Sequence, residues 1–338
     1  MEPIRGACVT RIGGDVRAGS HPARKVAVRL LIFLVLVSAV LALALWRAPL
    51  WVATQSIRAQ LYLAGIHGHS MSLDGQELHY MEGGSGDPVV LVHGLGASAE
   101  LNWAELMPYL VDSGHHVYAM DLLGFGESAR PAEGSYSIAE QARVVEAFLE
   151  KKHLEKVALA GESMGGWIAA MVALDQPDRI RQLILFDSAG LSFKPNFDLT
   201  LLTPRTREQV DALLAILMPH PIALPDYVKE GFIRDAERDG WVIERALTSM
   251  LTGADVLDRR FASLKMPLLI VWGKQDALTP LTIGEAMRRA APQSVLEVYD
   301  GCGHIAVQTC ADRIAPMTVN FLGGAGPQAG KRIEIPMM

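Results

Sequence analysis

Cysteine is scarce in this sequence of 338 residues. Its three cysteines, Cys8, Cys302 and Cys310, are too few for a disulfide-rich scaffold. Cys302 and Cys310 are close enough in sequence to pair if this part of the chain faces an oxidising compartment. Two unpaired thiols are at least as good an interpretation, so the pairing stays open at this point.

Positive charge is also in the minority. The chain has 31 Lys and Arg against 37 Asp and Glu, a net charge of −6, and its globular part contains no basic run. This balance argues against a nucleic-acid partner. Metal-ligand spacing is lacking as well, because the pairs His67 with His69 and His115 with His116 are interpreted as loop residues. We therefore expect neither a metal nor a cofactor.

One long hydrophobic run stands near the N-terminus. Residues 30–46 carry no charged side chain, and as a helix they span about 25 Å. Adding residues 26–29 brings the run to bilayer thickness. A cleaved signal peptide is the alternative interpretation, but the run is long for one. We predict a polar basic tail over residues 1–25 and a transmembrane helix over residues 26–46.

Basic residues are distributed unevenly around this run. Those before it are Arg5, Arg11, Arg17, Arg24, Lys25 and Arg29. Only Arg47 and Arg58 follow it closely. The positive-inside rule then predicts a cytoplasmic N-terminus and a periplasmic or otherwise extracytoplasmic main domain. Residues 47–70 are expected to be a linker, with a helix on the bilayer surface as one interpretation. The residues that suggest it are Leu50, Trp51, Ile57, Leu61 and Tyr62.

From residue 71 onward the pattern predicts a series of strands and helices. A hairpin is expected around Asp74 and Gly75. Apolar strands are expected at residues 88–92, 116–120, 156–160, 183–186, 267–272 and 294–299. Helices are expected at residues 99–111 and 138–151. Apolar strands that alternate with helices predict an α/β fold, with a mostly parallel eight-stranded sheet and helices on both faces.

The interval between Gly190 and Lys265 breaks this alternation. It has no clear strand, and helices are expected at residues 205–217, 227–239 and 242–251. We predict a helical lid over about residues 191–265, inserted in a domain over residues 71–322 that a loose Gly-rich tail follows. Apolar residues of the lid are candidates for binding substrate. They are Leu191, Phe193, Leu213 and Leu217.

A nucleophile elbow is predicted at residues 161–165, whose sequence is GESMG. It follows an apolar strand and precedes a helical run at residues 167–174, which is the context that this motif requires. The glycines permit a turn so tight that the serine is held strained and exposed. Residues 126–128 repeat GES without the closing glycine and are interpreted as a loop. Ser163 is therefore the predicted nucleophile.

A serine hydroxyl needs a base that takes its proton. In the fold that carries this elbow, the chain order is serine, acid, histidine. Only His220 and His304 follow Ser163, and His220 lies between two prolines in the lid. His304 follows the last predicted strand in a Gly-rich loop, so it is the predicted base.

The acid that orients this base is expected at the end of a strand between the serine and the histidine. Asp276 follows the strand at residues 267–272 and is favoured, whereas Asp187 ends the preceding strand and is the alternative. An oxyanion hole needs two backbone N–H groups. Met164 follows the nucleophile, and Leu95 lies in the HGLG loop of residues 93–96, so these two residues are predicted to supply them.

Two other classes of protein compete with this interpretation. Residues 94–99 also match a dinucleotide-binding fingerprint, and Asp121 stands where a ribose-binding acid is expected, so a Rossmann oxidoreductase is an alternative. It leaves the elbow and the late histidine loop unexplained. The other alternative is a hydrolase fold that only binds, against which the complete set of Ser163, Asp276 and His304 argues.

With the elbow, the HGLG loop, WGKQD at residues 272–276 and GCGH at residues 301–304, the chain resembles the α/β-hydrolase superfamily over about residues 71–322. The N-terminal hydrophobic run, DLLGFGES at residues 121–128 and SAGL at residues 188–191 resemble membrane-anchored monoacylglycerol-lipase-like serine hydrolases. Leu123 stands where such relatives usually carry proline.

This resemblance implies a serine hydrolase without a cofactor. The expected substrates are carboxylic esters, namely monoacylglycerols or similar lipid-like esters. Carbon–carbon bond hydrolases and haloperoxidase-like esterases share the same motifs and are alternatives. The resemblance also implies Ser163, Asp276 and His304 as nucleophile, acid and base, and the amides of Leu95 and Met164 as the oxyanion hole.

Overall fold

The computed structural model describes residues 22–326 and 329–337, and the chain divides after Arg47 into two units. In the first unit, helix α1 covers Pro22–Arg47. Its Lys25–Arg47 portion contains an 18-residue stretch with a mean hydropathy of 2.8, and it is long and apolar enough to cross a membrane. A signal sequence near the N-terminus meets the same criterion. The helix is therefore a candidate for either a membrane anchor or a signal sequence. Residues 1–21 of the expected basic tail, with Cys8, lie outside the described residues.

The second unit is built on one mostly parallel sheet, as the sequence predicts. The strands are β1 (Ile66–Leu73), β2 (Gln76–Gly84), β3 (Asp87–Val92), β4 (His115–Met120), β5 (Val157–Glu162), β6 (Ile180–Phe186), β7 (Leu268–Gly273), β8 (Val295–Tyr299) and β9 (Arg332–Ile335). Their order is β1-β2-β4-β3-β5-β6-β7-β8-β9. The hairpin β1–β2 and the pair β2–β4 are antiparallel, and the other pairs are parallel.

Helices cover both faces of this sheet. They are α2 (Pro49–Leu63), α3 (Ala99–Trp103), α4 (Met107–Asp112), α5 (Ile138–Lys151), α6 (Met164–Asp175), α7 (Arg207–Leu217), α8 (Asp226–Leu251), α9 (Leu281–Ala290), α10 (Ala306–Thr309) and α11 (Ala311–Leu322). Strands β5 and β7 are buried along their whole length, and two large apolar clusters lie on opposite faces of the sheet. Continuous apolar strands form such a core because both of their faces are removed from water.

The prediction of eight strands is wrong, because a ninth strand lies in the expected C-terminal tail. Strand β9 pairs in parallel with β8 at the edge of the sheet. Ile333 and Ile335 pack against the core, while Arg332 is exposed. A four-residue edge strand with one half-buried face has a weak sequence pattern, and the Gly-rich stretch before it masked the signal.

Residues 47–70 form more than a linker. Of the residues that suggested an interfacial helix, Leu61 of α2 is buried and Ile57 packs against the core, whereas Trp51 and Tyr62 are 60% and 67% exposed. The N-terminal end of α2 lies close to Gly231 of α8. Helix α2 is therefore packed into the second unit, because one of its faces covers apolar surface of the domain.

The interpretation of four histidines as loop residues is wrong. His67 and His69 lie in β1, which begins five residues earlier than predicted, and His115 and His116 lie in β4. Two of them have partners on β2. His116 pairs with Glu82 of β2 across 2.9 Å, and His69 stacks on Tyr80. Such cross-strand pairs help to stabilise β1 and β4, of which β4 was expected as a strand at residues 116–120.

Two helix boundaries also differ from the prediction. The helix expected at residues 99–111 is divided into α3 and α4, because Pro108 lies in the first turn of α4, where the missing N–H costs nothing. The two helices expected at residues 227–239 and 242–251 are the single helix α8. Gly240 lies inside it, and a glycine costs a helix only about 1 kcal/mol, which packing offsets.

The segment between β6 and β7, residues 187–267, is described throughout and contains helices but no strand. Its helices fall into two parts. Val210 and Leu214 of α7 and Ile233 of α8 form a small apolar cluster of their own. Val242 and Ala246, in the second half of α8, belong instead to the main core. We call residues 191–265 the lid segment.

Candidate active site

Ser163 lies in a sharp turn between β5 and α6. Its backbone has φ 53° and ψ −116°, a conformation that residues other than glycine rarely adopt. A Cβ on Gly161 would lie 2.2 Å from the carbonyl oxygen of Gly165, and one on Gly165 would lie 2.1 Å from that of Val92. Both glycines of the GESMG motif are therefore required by the close approach of backbone in the elbow.

Three predicted site residues meet at this turn. The Nε2 atom of His304 lies 2.9 Å from Ser163 Oγ, and Nδ1 lies 2.8 Å from Asp276 Oδ2. His304 stands in the loop after β8, and Asp276 in the loop after β7. All three side chains are buried. This arrangement lets a proton leave the hydroxyl for Nε2 while the carboxylate holds the imidazole in place.

Thr279 is a member of this cluster that the sequence did not reveal. Its Oγ1 lies 2.7 Å from Asp276 Oδ2 and 3.0 Å from His304 Nδ1, and it donates to the Asp187 carbonyl across 2.9 Å. The backbone N–H groups of Leu278 and Thr279 donate to Asp276 Oδ1, each across 2.8 Å. These bonds orient the Asp276 carboxylate. A threonine three residues after the acid is too common to have been noticed alone.

Asp187, the alternative acid, has a different set of partners. Its Oδ1 accepts a hydrogen bond from the backbone N–H of Gly273 across 2.7 Å, and its backbone φ is 43°. Burial raises the pKa of Asp187 well above its usual value, and the charge of Asp276 raises it further. Asp276 is the acid that hydrogen-bonds to His304.

Three carboxyl groups determine the charge of His304. Burial lowers the pKa of His304, but the attraction and hydrogen bond of Asp276, with smaller contributions from Glu162 and Asp187, outweigh it and raise the pKa to about 9. Glu162, the residue before the nucleophile, has its Oε1 3.7 Å from His304 Nε2. Burial raises the pKa of Glu162 to about 7.

The HGLG loop lies directly against the nucleophile. A Cβ on Gly94 would lie 3.3 Å from that of Ser163. Asn102 Oδ1 accepts a hydrogen bond from the Gly94 N–H across 2.8 Å and fixes the loop from α3, a role that the sequence did not reveal. Of the two residues predicted for the oxyanion hole, Leu95 is half-buried in this loop and Met164 is the buried first residue of α6.

The lid segment contacts the histidine loop through its backbone. The Leu217 carbonyl accepts a hydrogen bond from the His304 N–H across 2.9 Å. Leu191 and Leu213, also predicted to bind substrate, are half-buried, whereas Phe193 is 37% exposed. Leu217 therefore lies at the site, and the contact it makes is a backbone one.

Cys302 and Cys310 form a disulfide, which settles the pairing that the sequence left open. The bridge encloses His304, which lies between the two cysteines in the chain. The second GES sequence, at residues 126–128, lies in a loop, as predicted, and its serine has a structural role. Ser128 Oγ accepts a hydrogen bond from the His79 N–H and donates to the Asp121 carbonyl.

Comparison with known proteins identifies the family. The family model described as "alpha/beta hydrolase fold" matches residues 87–218, and a second, described as "TAP-like protein", matches residues 251–329. The 2-hydroxymuconate semialdehyde hydrolase of Pseudomonas sp. (strain CF600) is 30% identical over 268 residues, which cover 73% of this chain and 91% of that protein. This chain belongs to the α/β-hydrolase family.

Two further relatives are named as a lipase and a phospholipase. Lipase 1 of Psychrobacter immobilis is 29% identical to this α/β-hydrolase over 256 residues, which cover 71% of this chain and 79% of the lipase. A membrane phospholipase A of solved structure matches with a TM-score of 0.75 and 29% identity, covering 88% of this chain and 98% of that one. The family and its relatives make this protein a serine hydrolase. The Rossmann oxidoreductase considered from residues 94–99 is therefore wrong.

Proposed function

We propose that this serine hydrolase cleaves carboxylic esters, and that its substrates are lipid-like esters such as monoacylglycerols. The observation that carries the reaction type is the alignment of Ser163, His304 and Asp276, with 2.9 Å between Ser163 Oγ and His304 Nε2. A nucleophile, a base and an orienting acid at these distances are the parts that acyl transfer requires.

In this mechanism His304 Nε2 takes the proton of Ser163 as its Oγ attacks the ester carbonyl. The negative oxygen that forms is stabilised by the backbone N–H groups of Leu95 and Met164. The protonated His304 then gives its proton to the leaving alcohol, and an acyl-enzyme remains. Water, activated by the same imidazole, releases the acid. Asp276 accepts a hydrogen bond from the Nδ1–H group of His304 and stabilises the imidazolium in both steps.

The lipid-like substrate is supported by the relatives and by the candidate anchor. A lipase and a membrane phospholipase A are among the similar proteins, and helix α1 is long and apolar enough to span a bilayer. An ester with a long acyl chain partitions into the bilayer, where an anchored enzyme would meet it at a high local concentration. The lid segment is proposed to cover the acyl site and to move when substrate enters.

A carbon–carbon bond hydrolase is the second candidate. It is favoured by the relative from Pseudomonas sp. (strain CF600), a 2-hydroxymuconate semialdehyde hydrolase at 30% identity. Haloperoxidase-like esterase activity remains a further alternative, because the same serine, histidine and acid support it.

We also propose that α1 is an uncleaved anchor and that the catalytic domain is periplasmic or otherwise extracytoplasmic. The excess of basic residues before the hydrophobic run supports this orientation. The Cys302–Cys310 disulfide agrees with it, because cytosolic thiols are normally kept reduced.

The test is a substrate panel on the detergent-solubilised full chain. It compares p-nitrophenyl esters, monoacylglycerols of several chain lengths and a 2-hydroxymuconate semialdehyde, with fluorophosphonate labelling of Ser163 measured in parallel. We expect labelling and ester hydrolysis that both disappear in Ser163→Ala. Turnover of the semialdehyde alone would move the function to carbon–carbon hydrolysis, and hydrolysis that survives Ser163→Ala would overturn the proposed mechanism.

A further inference from the structure

Glu162 is a buried carboxyl group that the proposed mechanism does not use. It stands directly before Ser163 at the end of β5, and only 3% of the residue is exposed. One of its oxygens, Oε1, lies 3.7 Å from His304 Nε2. The other oxygen, Oε2, is so close to Gly94 that a Cβ on this glycine would lie 2.3 Å from it. The carboxyl group is thus held between the histidine and the loop that carries Leu95.

The position of Oε1 relative to the imidazole matters for the leaving group. Asp276 and Thr279 approach His304 on its Nδ1 side, whereas Glu162 and Ser163 approach Nε2. Nε2 is the nitrogen that must protonate the leaving alcohol. The alcohol part of a bound ester therefore lies within several ångströms of the Glu162 carboxyl.

The groups that face Glu162 determine its charge. These are His304 in the loop after β8, Asp276 in the loop after β7 and the backbone of Gly94. Asp187, at the end of β6, interacts with Asp276, His304 and Glu162. Burial is the largest effect and raises the pKa of Glu162, the repulsion of Asp276 adds to it, and the attraction of His304 opposes it, with a net value of about 7. The carboxyl group therefore changes from neutral to negative within the pH range in which the enzyme is expected to work.

We propose that Glu162 is a specificity-determining residue that selects against esters whose alcohol carries a negative charge near the scissile bond. The enzyme would then favour esters of neutral alcohols such as glycerol. This inference rests on the proposed ester hydrolysis and refines it, because it names the class of alcohol. A negative carboxylate beside the leaving oxygen repels a second negative charge there, and burial strengthens the repulsion.

The test compares a neutral ester with its sulfated, anionic counterpart. They are 1-butyrylglycerol and 1-butyrylglycerol 3-sulfate, whose sulfate stays ionised at all working pH values. The quantity measured is the ratio of kcat/KM for the neutral ester to that for the anionic ester, at about pH 6 and about pH 9, on either side of the Glu162 titration. Both substrates use the same Ser163 and His304, so effects on the chemical step cancel in this ratio. The attraction of the His304 charge for the sulfate does not cancel, and the Glu162→Gln variant measures it separately.

We expect wild-type enzyme to prefer the neutral ester by roughly tenfold or more at the higher pH, as two unit charges several ångströms apart in a partly buried site predict. At the lower pH the preference should shrink. Glu162→Gln should give a smaller ratio than wild type at the higher pH and a weaker pH dependence, of which the remainder comes from the titration of His304. Glu297→Gln is the matched control, because Glu297 of β8 is equally buried but hydrogen-bonds to Tyr299. It should keep the wild-type ratio and its pH dependence.

The outcomes separate this inference from the proposed function. A wild-type ratio independent of pH, or a Glu162→Gln ratio equal to that of wild type, would overturn the role of Glu162 and leave ester hydrolysis standing. Hydrolysis of neither ester by wild-type enzyme would overturn both. If Glu162→Gln does not fold, Glu162→Ala, which also removes the carboxylate, supplies the comparison in its place.

Discussion

At the scale of single residues, Ser163 and His304 are expected to act as one unit. Replacing either with alanine should lower kcat for a p-nitrophenyl ester by about a million-fold, because the loss of one member removes nearly the whole catalytic effect of the unit. Asp276→Asn should lower kcat by a somewhat smaller factor. Steady-state kinetics on purified variants would measure this, and near-normal turnover by Ser163→Ala would contradict the assignment.

Ser128→Ala is the matched control for the nucleophile, because Ser128 stands in the same Gly-Glu-Ser sequence. Its hydroxyl bonds to the backbone of His79 and Asp121 rather than to an imidazole. We expect unchanged kcat and a free energy of unfolding lower by about 1 kcal/mol, since one buried hydroxyl with its hydrogen bonds is lost. A large loss of kcat with unchanged stability would be inconsistent with the structural role of Ser128.

The pH dependence of the rate follows from the charge on His304. The pKa of about 9 belongs to an imidazole that acts as a base only when it is neutral. We therefore expect kcat/KM to rise as the pH increases from about 7 to about 9, with an apparent pKa above the value of about 6.5 that is usual for histidine. The Asp276 carboxylate stabilises the protonated form, so Asp276→Asn should move the acid limb to lower pH. A limb that stayed in place would contradict this electrostatic account.

At the scale of secondary-structure elements, the two parts of the lid segment should differ in stability. Val242 of α8 is buried in the main core, so Val242→Ala should lower the free energy of global unfolding by about 1–3 kcal/mol. Leu214 of α7 belongs to the small separate cluster, so Leu214→Ala should mainly promote local opening of α7. Hydrogen exchange would distinguish the two.

We expect faster exchange confined to α7 and the first half of α8 in Leu214→Ala, with a melting temperature close to that of wild type. Faster exchange throughout the domain would show instead that the lid segment opens only with the core. Complete deletion of residues 191–265 is a poor test of lid mobility, because it removes Val242 and Ala246 from the main core and should unfold the domain.

At the scale of the whole molecule, the orientation of the candidate anchor decides which pool of substrate the enzyme meets. Alkaline phosphatase fused after the C-terminal residue 338 should be active, and a fluorescent protein that matures only in the cytoplasm should be dark at the same position. A fusion directly after Leu322 would remove β9 from its place beside β8, so the C-terminal junction is preferable. A silent phosphatase with a bright fluorophore would show that the domain stays in the cytoplasm.

The sequence by itself determined the chemistry of the candidate site and most of the fold. Ser163 follows from a motif whose glycines have a local steric purpose, and His304 and Asp276 follow from the order of strands and loops along the chain. Strands such as β5 and β7 are evident because they are largely continuous apolar runs, which is the pattern of strands buried on both faces. This pattern is present in the chain itself. The helix at Ile138–Lys151 was evident because its apolar residues repeat with the helical period.

Tertiary structure decided what depends on partners distant in sequence. Thr279 and Asn102 support the site through hydrogen bonds that no local pattern encodes, and the charge on Glu162 depends on burial beside His304. Strand β9 forms because β8 offers it an edge, and α2 because its inner face meets the core. Local propensity and periodicity report on neighbours along the chain, whereas burial, ion pairing and edge pairing arise only when separate segments are brought together.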